Sequence, residues 1–139
     1  MLKGFATINY FAADLTAARD WYTEVLGVPP YFEAAFPGQP VGYYEFRIGD
    51  YQHELGLVDA RYAPPGAAGT GGSIMYWHVD DLPAALQRLL ALGATEHDPI
   101  RPRGDSGFVT ASVVDPFGNI LGIMTNPHYL EILESTGRG

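Results

Sequence analysis

Apolar positions along the chain switch between a spacing of two and a spacing of three to four, and the switch occurs twice. Residues 4–11 (GFATINYF) and 73–79 (SIMYWHV) read as strands. Each run leads into a helical pattern that opens on a similar pentapeptide, Asp14-Leu15-Thr16-Ala17-Ala18 or Asp81-Leu82-Pro83-Ala84-Ala85, and closes on Leu26-Gly27 or Leu92-Gly93. Asp14 and Asp81 suit the helix N-cap, where a carboxylate accepts an otherwise unpaired backbone N–H. Pro83 is tolerated in a first turn, and Gly27 and Gly93 suit the left-handed position past a helix end. Leu15, Ala18, Tyr22 and Val25 form the expected buried stripe of the first helix; Leu82, Ala85 or Leu86, and Leu89 do so in the second.

Further strand-like stretches follow each helix, at about 31–36, 41–48 and 51–58, then at 95–100, 108–114 and 120–125. Gly49-Asp50 and Asp115-Pro116-Phe117-Gly118-Asn119 sit where tight turns belong. Residues 59–72, rich in Ala, Gly and Pro, read as a linker. The pattern is therefore βαβββ, linker, βαβββ, an α+β protein with modules at about 4–58 and 73–125 within one domain, 1–139. A short amphipathic helix is expected at about 126–134, followed by a polar tail that frays.

Composition narrows the function classes. The 139 residues carry a net charge of −8, and Lys3 is the single lysine. A chain that lived on phosphate contacts needs the opposite balance, so nucleic acid and an anionic membrane surface are excluded as partners. No apolar run reaches the roughly 20 residues of a membrane-spanning helix. The N-terminus enters a strand without a signal-peptide core, and cysteine is absent, which removes disulfides, thiolate catalysis and Cys-ligated zinc. A cytoplasmic location is expected.

Asp-Leu-x-Ala-Ala followed by Trp21-Tyr22-Thr23-Glu24-Val25-Leu26-Gly27 resembles the first helix of the vicinal oxygen chelate superfamily, which includes glyoxalases, bleomycin-resistance proteins and extradiol dioxygenases. Val79-Asp80-Asp81-Leu82, Leu92-Gly93-Ala94 and Asp115-Pro116-Phe117-Gly118-Asn119 resemble its second-half motifs. The resemblance spans about Phe5 to Met124. It implies two βαβββ modules whose mixed sheets curl into an open cup with helices outside. It also implies that metal-dependent members would place ligands at Thr7, Glu54, Ile74 and Gly122. Only Glu54 among these is a good metal ligand, so no family-type metal and no cofactor is expected; a divalent metal near Glu54 is the alternative. His78 shares the strand parity of Ile74 but lies four residues on, roughly 13 Å away, and cannot fill its place.

Strand alternation gives an independent list of cup-facing side chains. If Leu55 and Leu57 pack under a helix, Gln52 and Glu54 face the cup; the same test leaves Ile74, Tyr76 and His78, then Phe108, Thr110 and Ser112. From the first strand it leaves Phe5, Thr7, Asn9 and Phe11, from the third Tyr43, Glu45 and Arg47, and from the last Gly122 and Met124. The candidate ligand-binding set is Phe5, Thr7, Asn9, Phe11, Tyr43, Gln52, Glu54, Tyr76, His78, Phe108, Thr110 and Met124. An aromatic wall with scattered polar groups is the usual make-up of a small-molecule site, although aromatic stripes also serve simply as core.

The roles of single residues stay open at this level. Glu54 contacts ligand or pairs with Arg47; His78 is a general base or a wall residue. His53 reads as a satisfied structural histidine on the helix side, and His97 and His128 as loop or tail residues. The expected function is metal-independent binding of a partly aromatic organic molecule, as in the bleomycin-resistance branch. The alternatives are a glyoxalase-like lyase, isomerase or dioxygenase using a divalent metal, and a metal-free acid–base enzyme using Glu54 and His78. The apolar stripe Tyr129, Leu130, Ile132 and Leu133 leads us to expect a homodimer.

Overall fold

The first two helices form where a capping carboxylate meets an apolar stripe. In the computed structural model, which describes residues 1–67 and 69–137, Asp14 accepts the Ala17 N–H at 3.0 Å and starts α1 (Leu15–Leu26). Asp81 accepts the Ala84 N–H at 3.0 Å and starts α2 (Leu82–Ala91). Gly27 ends α1 at φ 72°, and Gly93 follows α2 at φ 106°, conformations that L side chains rarely adopt. The buried residues are Leu15, Ala18 and Tyr22 in α1, and Leu82, Leu86 and Leu89 in α2.

The chain divides into two units, Met1–Gly69 and Thr70–Gly139. The first holds β1 (Thr7–Ala12), α1, β2 (Phe32–Ala34), β3 (Tyr43–Ile48) and β4 (His53–Asp59), with sheet order β1-β4-β3-β2. The second holds β5 (Met75–His78), α2, β6 (Thr95–Pro102), β7 (Val109–Val114), β8 (Ile120–Thr125) and α3 (Pro127–Ser135), with order β5-β8-β7-β6. In each, the first and last strands are parallel neighbours and the remaining pairs are antiparallel. The expected tandem βαβββ organisation and two mixed sheets are what the chain adopts.

Burial alternates as expected along β1 and β3, whereas in β7 Thr110 and Ser112 are buried as well as Ala111 and Val113. Tyr10, Tyr44, Phe46, Leu55 and Leu57 are buried in the first unit, with the Tyr10 ring 5.9 Å from that of Tyr22 on α1. Ala111, Val113, Leu121 and Ile123 are buried in the second. Burying a side chain such as Phe46 or Leu55 stabilises the fold by about 1.5–3 kcal/mol.

Several elements differ from the sequence expectation. β2 is only three residues long and wholly exposed. The linker is partly structured: Asp59 ends β4 and caps a 3-10 turn, Ala60–Tyr62, accepting the Arg61 N–H at 3.0 Å. Ala68 of the linker, and Arg138 and Gly139 of the tail, lie outside the described residues. No helix among the described residues is long and apolar enough to cross a membrane.

Candidate ligand site on the first sheet

Thr7, Asn9 and Phe11 share the open face of the first sheet with Glu54 and Gly56 of β4 and with Tyr43, Glu45 and Arg47 of β3. Gly56 determines how they meet. A methyl group there would overlap Asn9 Oδ1 and lie 2.8 Å from both the Tyr43 ring and its phenol oxygen. The missing side chain is the space in which Asn9 and Tyr43 reach across β4 from opposite sides. Tyr43 donates its phenol hydrogen to Glu45 Oε1 at 2.6 Å. Phe32 of β2 packs edge-on against Tyr43, with centroids 6.4 Å apart.

Arg47 and Glu54 are directly opposed in register, and their Nη2 and Oε1 atoms lie 3.6 Å apart. The Arg47 guanidinium also lies 4.7 Å from the Tyr31 ring centroid, within cation–π range. Of the two readings of Glu54, the pairing with Arg47 is therefore realised, at a length and exposure that leave the carboxylate accessible to other donors. Two carboxylates with one arginine leave this face with surplus negative charge. Burial, reinforced by the Glu54 charge and partly offset by Arg47, raises the Glu45 carboxyl above its usual range. Burial likewise raises the Tyr43 phenol, against a hydrogen bond with Thr7 that lowers it.

The sign of the Glu45 shift gives a test. A carboxyl raised in the folded state binds protons more readily there than in the unfolded chain, so stability falls as pH rises through its folded value. Glu45→Gln keeps an acceptor for Tyr43 and removes the charge. It should be more stable than the parent at pH 7, with the difference vanishing below the unfolded carboxyl value of about 4.3. Urea denaturation at both pH values measures this; an equally large gain in acid would assign it to packing.

Phe5 and Gln52 are corrections with one cause. Thr7 pairs with Glu54, so Phe5 would need Gln52 as its strand partner. Gln52 instead closes the β3–β4 turn at φ 55°, its N–H and its side-chain amide both donating to the Gly49 carbonyl. β1 therefore begins only at Thr7, and Phe5 is fully exposed. His53 is exposed and stacked on Tyr51, with centroids 5.6 Å apart, rather than packed on the helix side.

On the second sheet, Tyr76 and His78 of β5 share a face with Gly122 and Met124, their partners on β8. Tyr76 lies across Gly122 much as Tyr43 lies across Gly56. His78 is committed elsewhere. Its Nδ1 accepts the Asn126 N–H at 3.1 Å, and its ring stacks on Tyr129 of α3 at 4.7 Å. Its Nε2 lies 3.5 Å from Asp80. These contacts favour the wall reading, because the lone pair that a general base would use is occupied. Phe108 meets His128 edge-on at 4.9 Å. Thr110 is buried, and its hydroxyl accepts from Arg103 Nε at 3.0 Å, so its oxygen is already engaged. His97 is no loop residue: it lies in β6 and bonds Ser112 Oγ through Nδ1 at 2.9 Å.

The pairing also revises the inferred ligand positions. Counting back five residues from each capping Asp reaches Asn9 and Tyr76, whose partners are Gly56 and Gly122. The repeat thus makes Gly56, not Glu54, the counterpart of Gly122. The four equivalent positions are Thr7, Gly56, Ile74 and Gly122, and none carries a carboxylate, imidazole or thiolate. Among the described residues no group of three or more His, Cys, Asp or Glu side chains could hold a metal ion. The residues present do not fit a family-type metal.

The family model of the Glyoxalase/Bleomycin resistance protein/Dioxygenase superfamily matches residues 4–123. The chain belongs to this superfamily. Similar solved structures include a glyoxalase-related enzyme from Fulvimarina pelagi, with TM-score 0.70 and 22% identity over 91% of this chain and 90% of that one. A lactoylglutathione lyase from Agrobacterium tumefaciens gives TM-score 0.66 and 20% identity over 93% and 98%. The fosfomycin resistance protein FosX from Listeria monocytogenes gives TM-score 0.68 and 12% identity over 91% and 95%. At these identities the likeness is one of fold, and the activity has to be argued from the side chains. No curated protein matches the chain.

Proposed function

We propose that this superfamily member binds a small, partly aromatic organic molecule against the open face of its first sheet, without a metal. The observation that carries the reading is the row held over Gly56. Asn9, Tyr43, Glu45 and Glu54 offer oriented polar atoms beside the rings of Phe32 and Tyr43, a combination suited to a small ligand. The surplus carboxylate favours a ligand with hydrogen-bond donors. A metal-dependent lyase or dioxygenase lacks its ligand set here. The acid–base reading loses His78, whose Nδ1 is held by Asn126.

A thermal-shift screen against aromatic natural products, with elemental analysis of protein purified without a metal-affinity tag, tests the proposal. The expected result is a ligand-dependent rise in Tm, no stoichiometric divalent metal, and no response to chelator. Glu54→Gln should weaken the selected ligand by about 1.5–3 kcal/mol if the charge engages it. Near one equivalent of zinc, nickel, iron or manganese would overturn the reading in favour of a metalloenzyme.

The proposed setting is a cytoplasmic homodimer. Leu130 and Ile132 of α3 are 44% and 57% exposed while Leu133 is buried, so the helix keeps apolar surface for a second copy. Light scattering should find a dimer at micromolar concentration that Leu130→Glu with Ile132→Glu converts to a monomer. A monomeric parent would remove this part of the proposal.

A further inference from the structure

β6 departs from regular alternation, and the departures gather charge. Glu96 pairs with Val113, Asp98 with Ser112, and Arg101 with Thr110, with register shifts on both sides of Asp98. Opposed residues of an antiparallel pair share a face. The irregularities therefore put Asp98 and Arg101 on the same face as Ser112 and Thr110, where regular alternation would put residues 98 and 101 on opposite faces. Arg103 and His97 reach the same two residues, through Arg103 Nε to Thr110 Oγ1 at 3.0 Å and His97 Nδ1 to Ser112 Oγ at 2.9 Å.

One carboxylate then orients two guanidinium groups. Asp98 Oδ1 accepts from Arg101 Nε at 2.9 Å, and Oδ2 from Arg103 Nη2 at 3.3 Å. Both Nη atoms of Arg101, and Nη1 of Arg103, make no hydrogen bond among the described residues. Two arginines against one aspartate leave a surplus positive charge in a chain whose net charge is −8. The Arg101 bond and charge, together with the charges of Arg103 and His97, hold the Asp98 carboxyl below its usual range. It thus stays ionised at neutral pH beside both guanidinium groups.

We propose that the Arg101–Asp98–Arg103 cluster is an oxyanion site, taking a carboxylate or phosphate group of a small molecule where the two half-exposed guanidinium groups border the second sheet. Guanidinium forks match such groups geometrically, and Asp98 contacts both of these while Thr110 contacts Arg103. The site belongs to the second unit and does not depend on the ligand row over Gly56 in the first.

Inorganic phosphate and acetate are the probes, each titrated into the full chain at constant ionic strength while backbone amide resonances are followed by NMR. Saturable shifts are expected at residues 98–103 and 110–112. Arg101→Gln and Arg103→Gln should each weaken binding by about tenfold or more, as losing a charge-assisted hydrogen bond does. Arg88→Gln, a change on α2, should leave it unaltered. Tighter binding of one probe assigns the group as phosphate or carboxylate. Linear, unsaturable shifts, or saturation unaffected by both arginine variants, would overturn the proposal. Because Arg101→Gln leaves the Thr110 bond in place, a folding defect in Arg103→Gln alone cannot obscure the result. Shifts at Thr7, Asn9 and Glu54 report the first sheet separately, so either site can fail without the other.

Discussion

Gly56→Ala should abolish ligand binding by the first sheet while the chain stays folded. The added methyl group would occupy the space where Asn9 Oδ1, the Tyr43 ring and the Tyr43 phenol converge. All three belong to side chains, so they can swing aside. Overpacking of this kind costs about 1–3 kcal/mol. Swinging aside nevertheless breaks the row, because Tyr43 holds Glu45 through its 2.6 Å hydrogen bond and stacks edge-on with Phe32. Gly42→Ala is the matched control, since its methyl group would meet the Tyr62 ring at 2.6 Å, away from the polar row. Comparable losses of Tm are expected in both variants, with affinity lost only in Gly56→Ala. Ligand affinity surviving in Gly56→Ala would place the site elsewhere.

The role of Gly56 was not legible in the sequence, and the reason is one of register. In the second module, Asp115-Pro116-Phe117-Gly118-Asn119 is a fixed point from which Gly122 can be counted. The first module has no such point: its β3–β4 turn runs through Gly49 and Gln52, so the phase of β4 against β1 emerges only from pairing. Counting without it put Glu54 two residues away from the equivalent position. The same missing information extended the strands too far, to Phe5 and Gln52.

What was legible was what is local. The capping Asp14 and Asp81, the glycines past the helix ends and the stripe of each helix need only neighbours in sequence, and they gave the repeat. Strand parity then separated Leu55 and Leu57 from Glu54, and Tyr44 and Phe46 from Tyr43 and Glu45. Parity failed at β6, where irregular pairing breaks the period of two, so His97 read as a loop residue and Asp98, Arg101 and Arg103 as nothing in particular. Thr110 shares the face of Ser112 and Met124, as alternation requires, and is buried there. A one-dimensional pattern could not show that Arg103 had claimed its hydroxyl.

Asp115→Ala should be among the most destabilising polar substitutions in the chain, well beyond loss of either helix cap. Asp115 is 3% exposed, and its carboxylate gathers several donors of the β7–β8 turn. Its Oδ1 accepts the backbone N–H groups of Phe117 at 2.9 Å and Asn119 at 2.8 Å, and its Oδ2 accepts the Asn119 side-chain amide at 3.1 Å. Asn119 is itself buried, so its backbone and side-chain donors have no ready access to water once the carboxylate is gone. Each stranded buried donor costs about 1–3 kcal/mol. Allowing for relaxation of the turn, a total of about 3 kcal/mol is expected, against about 1 kcal/mol for Asp14→Ala or Asp81→Ala, where an exposed cap loses one hydrogen bond. Asp115→Asn, which retains one acceptor oxygen, should recover part of the difference. Urea denaturation of the four variants decides the order. A cost for Asp115→Ala no larger than that of the cap variants would mean that the turn is held by its backbone hydrogen bonds, Asp115 N–H to the Asn119 carbonyl at 2.8 Å among them, and not by the carboxylate.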